Sequence, residues 1–477
     1  MNTTRYGFFW SAFDRVISQA IQLIVLIALA RLLEPESFGL MAMTYVLVAL
    51  ANTFIDSGFY NSLVRKANPT DSDYSTVFYV CIFIGMTVYA FSYFLSSHIS
   101  SFYDEPILTD IIKTLSIVFV MNSLTTAHRA KLVVNIQFKR LSFINVIAVT
   151  FGGIVGLLSA MNGHGVWSLV YQTISNAFMM MVLNFTMVKI SYRSGVSLSS
   201  FKDLFSYGYK LFLSNLIEVI YSNSYILLIG KLFNSHQLGL YYQANRLIEI
   251  FSNTYASIIS RVNLPLLSQE KLEENKIKMF ENTISLSMFV FLPICCILIL
   301  SSNFIFVSIL GSQWEDSALY FDILVVAYSI FPLHVVNLNV LQMKKRSDLY
   351  LRLEIGKKLV GILVLALSYR FGVLWMCVGI TFTSFLCLWL NTIYTKSIFG
   401  KGLSEQLLII KDSVIASIGP LLLILLFLKI DFFFSREIFM VVPVYIFLWL
   451  ALYYYLNRIM LFNTMLILLG KTKVSNG

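Results

Sequence analysis

Charge is scarce in this chain: Asp, Glu, Lys and Arg make up only 13% of its 477 residues, against about 25% in soluble globular domains. So few charged groups cannot clothe a water-exposed surface of this size, which excludes an ordinary soluble fold. Cysteine is sparse too. Cys81, Cys295, Cys296, Cys377 and Cys387 lie in apolar stretches with no C-x-x-C spacing, so they read as small buried hydrophobes rather than a disulfide framework or a zinc site. No G-x-x-x-x-G-K-[ST], G-x-S-x-G or paired-carboxylate motif occurs, and no enzymatic chemistry is expected. His164 reads as a turn residue and His334 as a lone polar residue in a helix; neither has a Cys, His or carboxylate at ligand spacing, so no metal is expected. Runs such as 21–33 and 421–428 lack two-residue alternation, which excludes a transmembrane barrel.

What is present is hydrophobic length. The chain is 58% hydrophobic, its mean hydropathy is +0.77, and apolar runs of about 20 residues, enough to cross a bilayer as helices, recur along it. The reading is an all-α integral membrane protein of fourteen helices, near 8–31, 37–61, 74–98, 107–130, 140–161, 165–189, 205–231, 237–262, 279–302, 317–341, 350–369, 372–395, 408–429 and 438–457. The first contains Asp14 and Arg15 and lacks a small-residue cleavage site, so it is expected to be a membrane helix rather than a signal peptide.

The net charge of +10 could suggest a nucleic-acid partner, but its distribution gives another cause. Basic residues gather in alternate connections: Arg65 and Lys66; Arg129, Lys131, Lys139 and Arg140; Lys189, Arg193 and Lys202. Lys271, Lys276 and Lys278 continue the series, followed by Lys344, Lys345, Arg346 and Arg352, and by Lys396 and Lys401. The intervening stretches 96–106, 160–165 and 301–316 have no Lys or Arg. The positive-inside rule places the first set, and with an even helix count both termini, in the cytoplasm. The surplus is a topology signal, and no nucleic acid is expected.

A repeat appears at an offset of 200 residues. Ala30-Arg31-Leu32-Leu33 aligns with Gly230-Lys231-Leu232-Phe233, and Phe38-Gly39-Leu40 with Leu238-Gly239-Leu240. Units of six helices enter the membrane from the same side, which implies parallel repeats about an axis along the membrane normal. The expected organisation is an N-lobe over 1–194, a C-lobe over 195–400, and helices 13 and 14 with a cytoplasmic tail over 401–477. Pro35, Pro69 and Pro106 fall in connections of the first half, whereas Pro293, Pro332, Pro420 and Pro443 fall within helices of the second, where proline bends a helix. Gly152 and Gly156 form a G-x-x-x-G spacing and read as a helix contact.

Ionisable groups inside membrane segments are costly and are candidates for function. The first helix carries Ser11, Arg15, Ser18, Gln19 and Gln22 on one face, with Asp14 beside it. The second carries Tyr45, Asn52, Asp56 and Tyr60; the seventh, Ser214, Glu218, Tyr221 and Tyr225; the eighth, Tyr242, Arg246, Glu249 and Asn253. Spacings of three, four and seven put each set on one helix face. Helices 1, 2, 7 and 8 are therefore expected to surround a water-filled cavity, and helices 3, 9 and 12, whose stretches 79–95, 284–300 and 374–390 hold no charge, to face lipid. Arg15 and Arg246, with Gln19, Gln22, Arg31 and Lys231, are the candidate substrate-binding residues, because guanidinium suits phosphate bidentately. Asp14, Asp56, Glu218 and Glu249 are candidates for charge balance or for coupling to H+ or Na+. The alternatives are internal ion pairs for Asp14 with Arg15 and Arg246 with Glu249, and interfacial snorkelling for Arg31 and Lys231.

The stretch Ala30-Arg31-Leu32-Leu33-Glu34-Pro35-Glu36-Ser37-Phe38-Gly39-Leu40, followed by Asp56-Ser57-Gly58-Phe59 and Leu63-Val64-Arg65-Lys66, resembles the opening of polysaccharide repeat-unit flippases. Phe138-Lys139-Arg140-Leu141, Gly163-His164-Gly165-Val166-Trp167-Ser168-Leu169-Val170, and Gly239-Leu240-Tyr241-Tyr242 through Arg246 extend the likeness. The chain is most similar to the colanic-acid-exporter, Wzx-like branch of the multidrug/oligosaccharidyl-lipid/polysaccharide (MOP) exporter superfamily. That resemblance implies two six-helix lobes, as in MATE transporters, around a V-shaped cavity that opens alternately to each side. It implies no cofactor and no enzymatic activity. The implied cargo is an undecaprenyl-diphosphate-linked oligosaccharide flipped across a bacterial inner membrane, with membrane lipids, a polysaccharide polymerase and chain-length machinery as partners. A cation-coupled drug antiporter and a membrane polymerase or ligase are the other readings. Basic cavity faces speak against the first, and periplasmic connections of only about a dozen residues against the second.

Overall fold

The computed structural model describes residues 2–56, 58–344, 346–429 and 438–457, and among them every regular element is helical. The chain begins with α1 (Asn2–Leu32), α2 (Pro35–Asp56), α3 (Phe59–Arg65), α4 (Asp71–Tyr103), α5 (Leu108–Leu115), α6 (Ile117–Val134), α7 (Phe138–Met161) and α8 (Trp167–Met187). It continues through α9 (Leu198–Ser222), α10 (Ser224–Leu232), α11 (Ser235–Gln269), α12 (Glu273–Asn303), α13 (Glu315–Ser329) and α14 (Phe331–Met343). It closes with α15 (Ser347–Ser368), α16 (Val373–Phe399), α17 (Leu403–Lys429) and α18 (Ile438–Leu456).

Each of the fourteen expected segments falls on one helix or on two consecutive ones. The second splits into α2 and α3 at Gly58, whose φ of 75° suits glycine, and a β-carbon there would overlap the Gly208 carbonyl. The seventh bends by 41° between α9 and α10. The tenth breaks at Ile330, so Pro332 lies in the first turn of α14 and not in a helix interior, where its missing N–H would cost a hydrogen bond. Among the described residues nine helical segments are long and apolar enough to cross a membrane, or ten with the bent pair. The chain is a multi-pass membrane protein. Of the remaining segments, α11 carries Arg246 and Glu249, and α15 carries Arg352, Glu354, Lys357 and Lys358. Their polarity calls for protein neighbours rather than lipid.

The helices gather into two compact units, Met1–Tyr242 and Gln243–Gly477. This packing boundary differs from the repeat boundary at 194/195, because α9 and α10 pack on α2, and α9 also on α3 and α4. In unit 1, α7 lies against α8 and α1. Gly152 and Gly156 face Gln172 and Asn176 of α8, and Gly153 faces Val25 of α1, so the G-x-x-x-G spacing serves packing. Lipid tails give no hydrophobic drive for helix association, and small residues that let backbones approach supply van der Waals contact instead. Gly39 and Gly239 show this most sharply. A β-carbon on Gly39 would overlap the Ser235 carbonyl oxygen, and one on Gly239 would overlap that of Pro35. The contact is reciprocal at the 200-residue offset of the sequence repeat.

In unit 2, α12 is surrounded by α13, α14, α17 and α18. Phe280, Ile284, Met288 and Leu292 on it are all buried. The expectation that the ninth helix faces lipid is therefore corrected: a helix apolar on every side also suits the centre of a bundle. By contrast α4 and α16 expose Phe83, Phe94, Phe382 and Trp389, as lipid-facing helices do.

Candidate substrate site

The polar stripe of the second helix acquires a partner at every level. Tyr45 Oη lies 3.5 Å from Thr173 Oγ1 of α8. Two and three turns further on, Asn52 Oδ1 accepts from Asn122 Nδ2 of α6 at 2.9 Å, and Asp56 meets the electrostatic attraction of Arg129. The Arg129 guanidinium also stands over the Tyr60 ring, 5.8 Å from its centroid, an arrangement worth up to about 2 kcal/mol when desolvated. Helical spacing creates the match, since 45, 52 and 56 share one face of α2, and 122, 125, 126 and 129 share one face of α6.

Of these groups, Asn52, Asp56, Asn122, Arg129 and Thr173 border a cavity of about 330 Å3 within unit 1. Asn52, Asp56, Asn122, Arg129 and Asn176, with the hydroxyls of Thr125, Thr126 and Thr173, supply its polar lining. Arg129 Nε is buried and makes no hydrogen bond among the described residues. A buried donor without an acceptor is costly unless something else supplies one. The cavity thus offers a guanidinium, amides and hydroxyls to an anionic or polyhydroxylated ligand, with a carboxylate to balance charge. No cluster of three His, Cys, Asp or Glu occurs among the described residues.

The other residues singled out from sequence disperse. Asp14 accepts from Asn145 Nδ2 of α7 at 3.0 Å and from Ser18 Oγ at 3.2 Å, neutral donors at the α1–α7 contact among the described residues. Arg15 lies on α1, with its side chain outside the described residues. On the same helix Gln19 is half-buried, while Gln22 and Arg31 are exposed. Lys231 pairs with Asp104 at 2.9 Å and lies over the Phe102 ring at the end of α10. Glu218 is exposed on α9. In unit 2 Glu249 accepts from Asn245 Nδ2 at 2.9 Å and from Tyr328 Oη at 3.4 Å, with Arg246 adding electrostatic attraction.

Sequence reasoning missed Asn122, Thr173 and Asn176, and counted Arg129 as loop charge. The signal was available: Arg129 stands at i+3, i+4 and i+7 from Thr126, Thr125 and Asn122, a polar stripe matching that of the second helix. The reading of His334 as lone is also corrected. Its Nδ1 lies 2.8 Å from Asn391 Nδ2, and its Nε2 3.4 Å from Ser384 Oγ, because α14 and α16 pack together.

Residues 28–319 match the model of the family described as "Polysaccharide biosynthesis protein". The chain is 24% identical to the lipopolysaccharide biosynthesis protein WzxC of Escherichia coli (strain K12), over 84% of its own length and 82% of that protein's. It is 23% identical to the teichuronic acid biosynthesis protein TuaB of Bacillus subtilis (strain 168), over 79% and 80%. Among solved structures, the lipid II flippase MurJ in an inward closed conformation superposes with a TM-score of 0.75 at 14% identity, covering 95% of this chain and 99% of that one. An inward-facing MATE transporter of the MOP superfamily gives 0.59 at 12% identity, over 81% and 98%. These likenesses establish a MOP-type fold, and with 28–319 matched the chain belongs to the polysaccharide biosynthesis protein family.

Proposed function

We propose that this protein is a flippase that moves an undecaprenyl-diphosphate-linked oligosaccharide repeat unit from the cytoplasmic to the periplasmic leaflet of a bacterial inner membrane by alternating access. Both termini are cytoplasmic in this reading, following the basic connections. The observation that carries it is the membrane-embedded cavity of unit 1, where Arg129 presents a buried nitrogen without a hydrogen bond beside Asp56 and three amides. Diphosphate is a bidentate acceptor for guanidinium, and amides and hydroxyls match sugar hydroxyl groups. The relatives named for lipopolysaccharide and teichuronic acid biosynthesis support the cargo class. Asp56 balances the charge of Arg129 and takes up a coupling H+ or Na+ when the headgroup leaves. A cation-coupled drug antiporter of the same fold fits less well, because a guanidinium in the cavity repels a cationic drug.

Reconstitution in vesicles tests the reading. Translocation of a lipid-linked oligosaccharide above protein-free vesicles is expected, and its absence would overturn the assignment. In the same assay Arg246→Ala is expected to lose more transport than Lys231→Ala, because Lys231, at the end of α10, pairs with the exposed Asp104, whereas Arg246 lies within α11 beside Glu249. Equal rates for both variants and the parent chain would remove Arg246 from the substrate path.

A further inference from the structure

We infer that unit 1 carries a second anion site, separate from the cavity of Asp56 and Arg129, that holds the phosphodiester headgroup of an anionic phospholipid. It lies where the ends of three helices meet. α6 ends at Val134, α7 starts at Phe138, and α8 ends at Met187. Between them is a pocket of about 350 Å3 with Lys131, Arg140 and Lys189 on its rim, and Asn135, Gln137 and Thr186 among them. Among the described residues none that lines it is acidic. Lys131 Nζ donates to the Lys189 carbonyl at 3.0 Å, and Arg140 Nη1 to Gln137 Oε1 at 3.1 Å. Lys131 also stands over the Tyr74 ring, 5.3 Å from its centroid. Neutral acceptors and a ring thus orient Lys131 and Arg140, and among the described residues no carboxylate in the lining neutralises the three cations.

A neighbouring basic pocket shows what compensation looks like. Arg65, Lys66 and Lys210 line it, but so does Asp203. Lys66 is clamped at 3.0 Å to both Asp73 and Asp203. Burial disfavours the Lys66 ammonium, yet the hydrogen bonds from it to the two carboxylates outweigh burial and raise its pKa. Arg65 is stacked on Tyr207, 4.0 Å from the ring centroid. That pocket spends its charge inside the protein.

The surroundings of the uncompensated pocket select a lipid over a soluble phosphate. Its floor is Leu132 and Val188, both buried in an apolar cluster with Ile144. Next to it in the chain, Ile136, Phe143 and Phe185 are 57%, 53% and 40% exposed. Phe143 follows Arg140 by one helical turn and so shares its face. Basic groups above and exposed apolar groups alongside match a phosphate headgroup with its acyl chains, and basic pockets between membrane helices on the cytoplasmic side favour anionic lipid headgroups.

Native mass spectrometry of the full chain in detergent tests this, with phosphatidylglycerol and cardiolipin as probes and phosphatidylcholine as control. The variant Lys131→Gln/Arg140→Gln/Lys189→Gln is expected to carry at least fivefold less anionic lipid, with phosphatidylcholine adducts unchanged. Thr186→Glu leaves all three cations and the floor in place but adds a carboxylate, and is expected to reduce anionic-lipid adducts at least threefold. It keeps the test open if the triple variant does not fold. Lys66→Gln, in the compensated pocket, is expected to leave these adducts unchanged. Wild-type occupancy in both pocket variants would overturn the inference. Displacement of the lipids by millimolar inorganic phosphate would replace the lipid reading with a soluble-phosphate site.

Discussion

Each unit holds a polar cluster among apolar helices, and the two clusters differ. In unit 2, Asn337 of α14, Thr395 of α16 and Gln406 of α17 form a closed set. Asn337 Nδ2 donates to Gln406 Oε1 at 2.9 Å, and Gln406 Nε2 and Thr395 Oγ1 donate to Asn337 Oδ1 at 2.9 and 2.6 Å. All three residues are at most 1% exposed. In unit 1, Asn52, Asn122, Asp56 and Arg129 also approach one another across helices, yet they border open space. Polarity inside a membrane bundle therefore has two uses. A satisfied network joins helices; an incompletely satisfied one beside a cavity is available to a ligand.

The largest contrast is expected from Arg129→Gln. Hydrogen bonds to a charged group are worth about 1.5–3 kcal/mol each, so flux per folded molecule in reconstituted vesicles is expected to fall roughly tenfold or more, with a smaller loss of thermal midpoint from the Tyr60 and Asp56 contacts. A midpoint that falls while flux per folded molecule holds would make the Arg129 cavity merely structural. Asp56→Asn added to that variant is expected to cost less than it does alone, and strict additivity would uncouple the two groups.

Asn337→Leu is expected to do the reverse. It removes the donor to Gln406 Oε1 and an acceptor for Thr395 and Gln406 in a buried site, at about 1–3 kcal/mol, visible as a lower denaturation midpoint, while transport per folded molecule stays within about twofold. Selective loss of transport would erase the distinction between the units. Gly239→Ala forces a β-carbon onto the Pro35 carbonyl and is expected to cost about 1–3 kcal/mol by overpacking, again read as a denaturation midpoint. The smallest effect is expected from Lys231→Gln, since exposed ion pairs contribute about 0–1 kcal/mol. A transport loss beyond about twofold would bring Lys231 back into the substrate path.

Much of the fold was legible because lipid simplifies the physics. A segment of about 20 apolar residues has few options other than a helix, and the expected segments coincide with helices. Polar stripes were legible on each helix separately. Their partners were not: Asn52 meets Asn122, and Asp14 meets Asn145, at sequence separations that no periodicity reports. Arg129 was obscured by its position near a helix end, where a basic residue serves the topology rule as well as it serves a site.

The sequence by itself determined the helical, membrane-spanning class, the repeat, and the family, because hydrophobic length and local motifs are properties of short stretches. The tertiary structure alone decided which polar faces close on each other and which border space. It also decided that α12, whose stretch 284–300 holds no charge, sits inside its unit rather than against lipid. Both outcomes depend on how helices pack, and packing is settled by shape complementarity between distant segments, down to the crossing of Gly39 with Gly239.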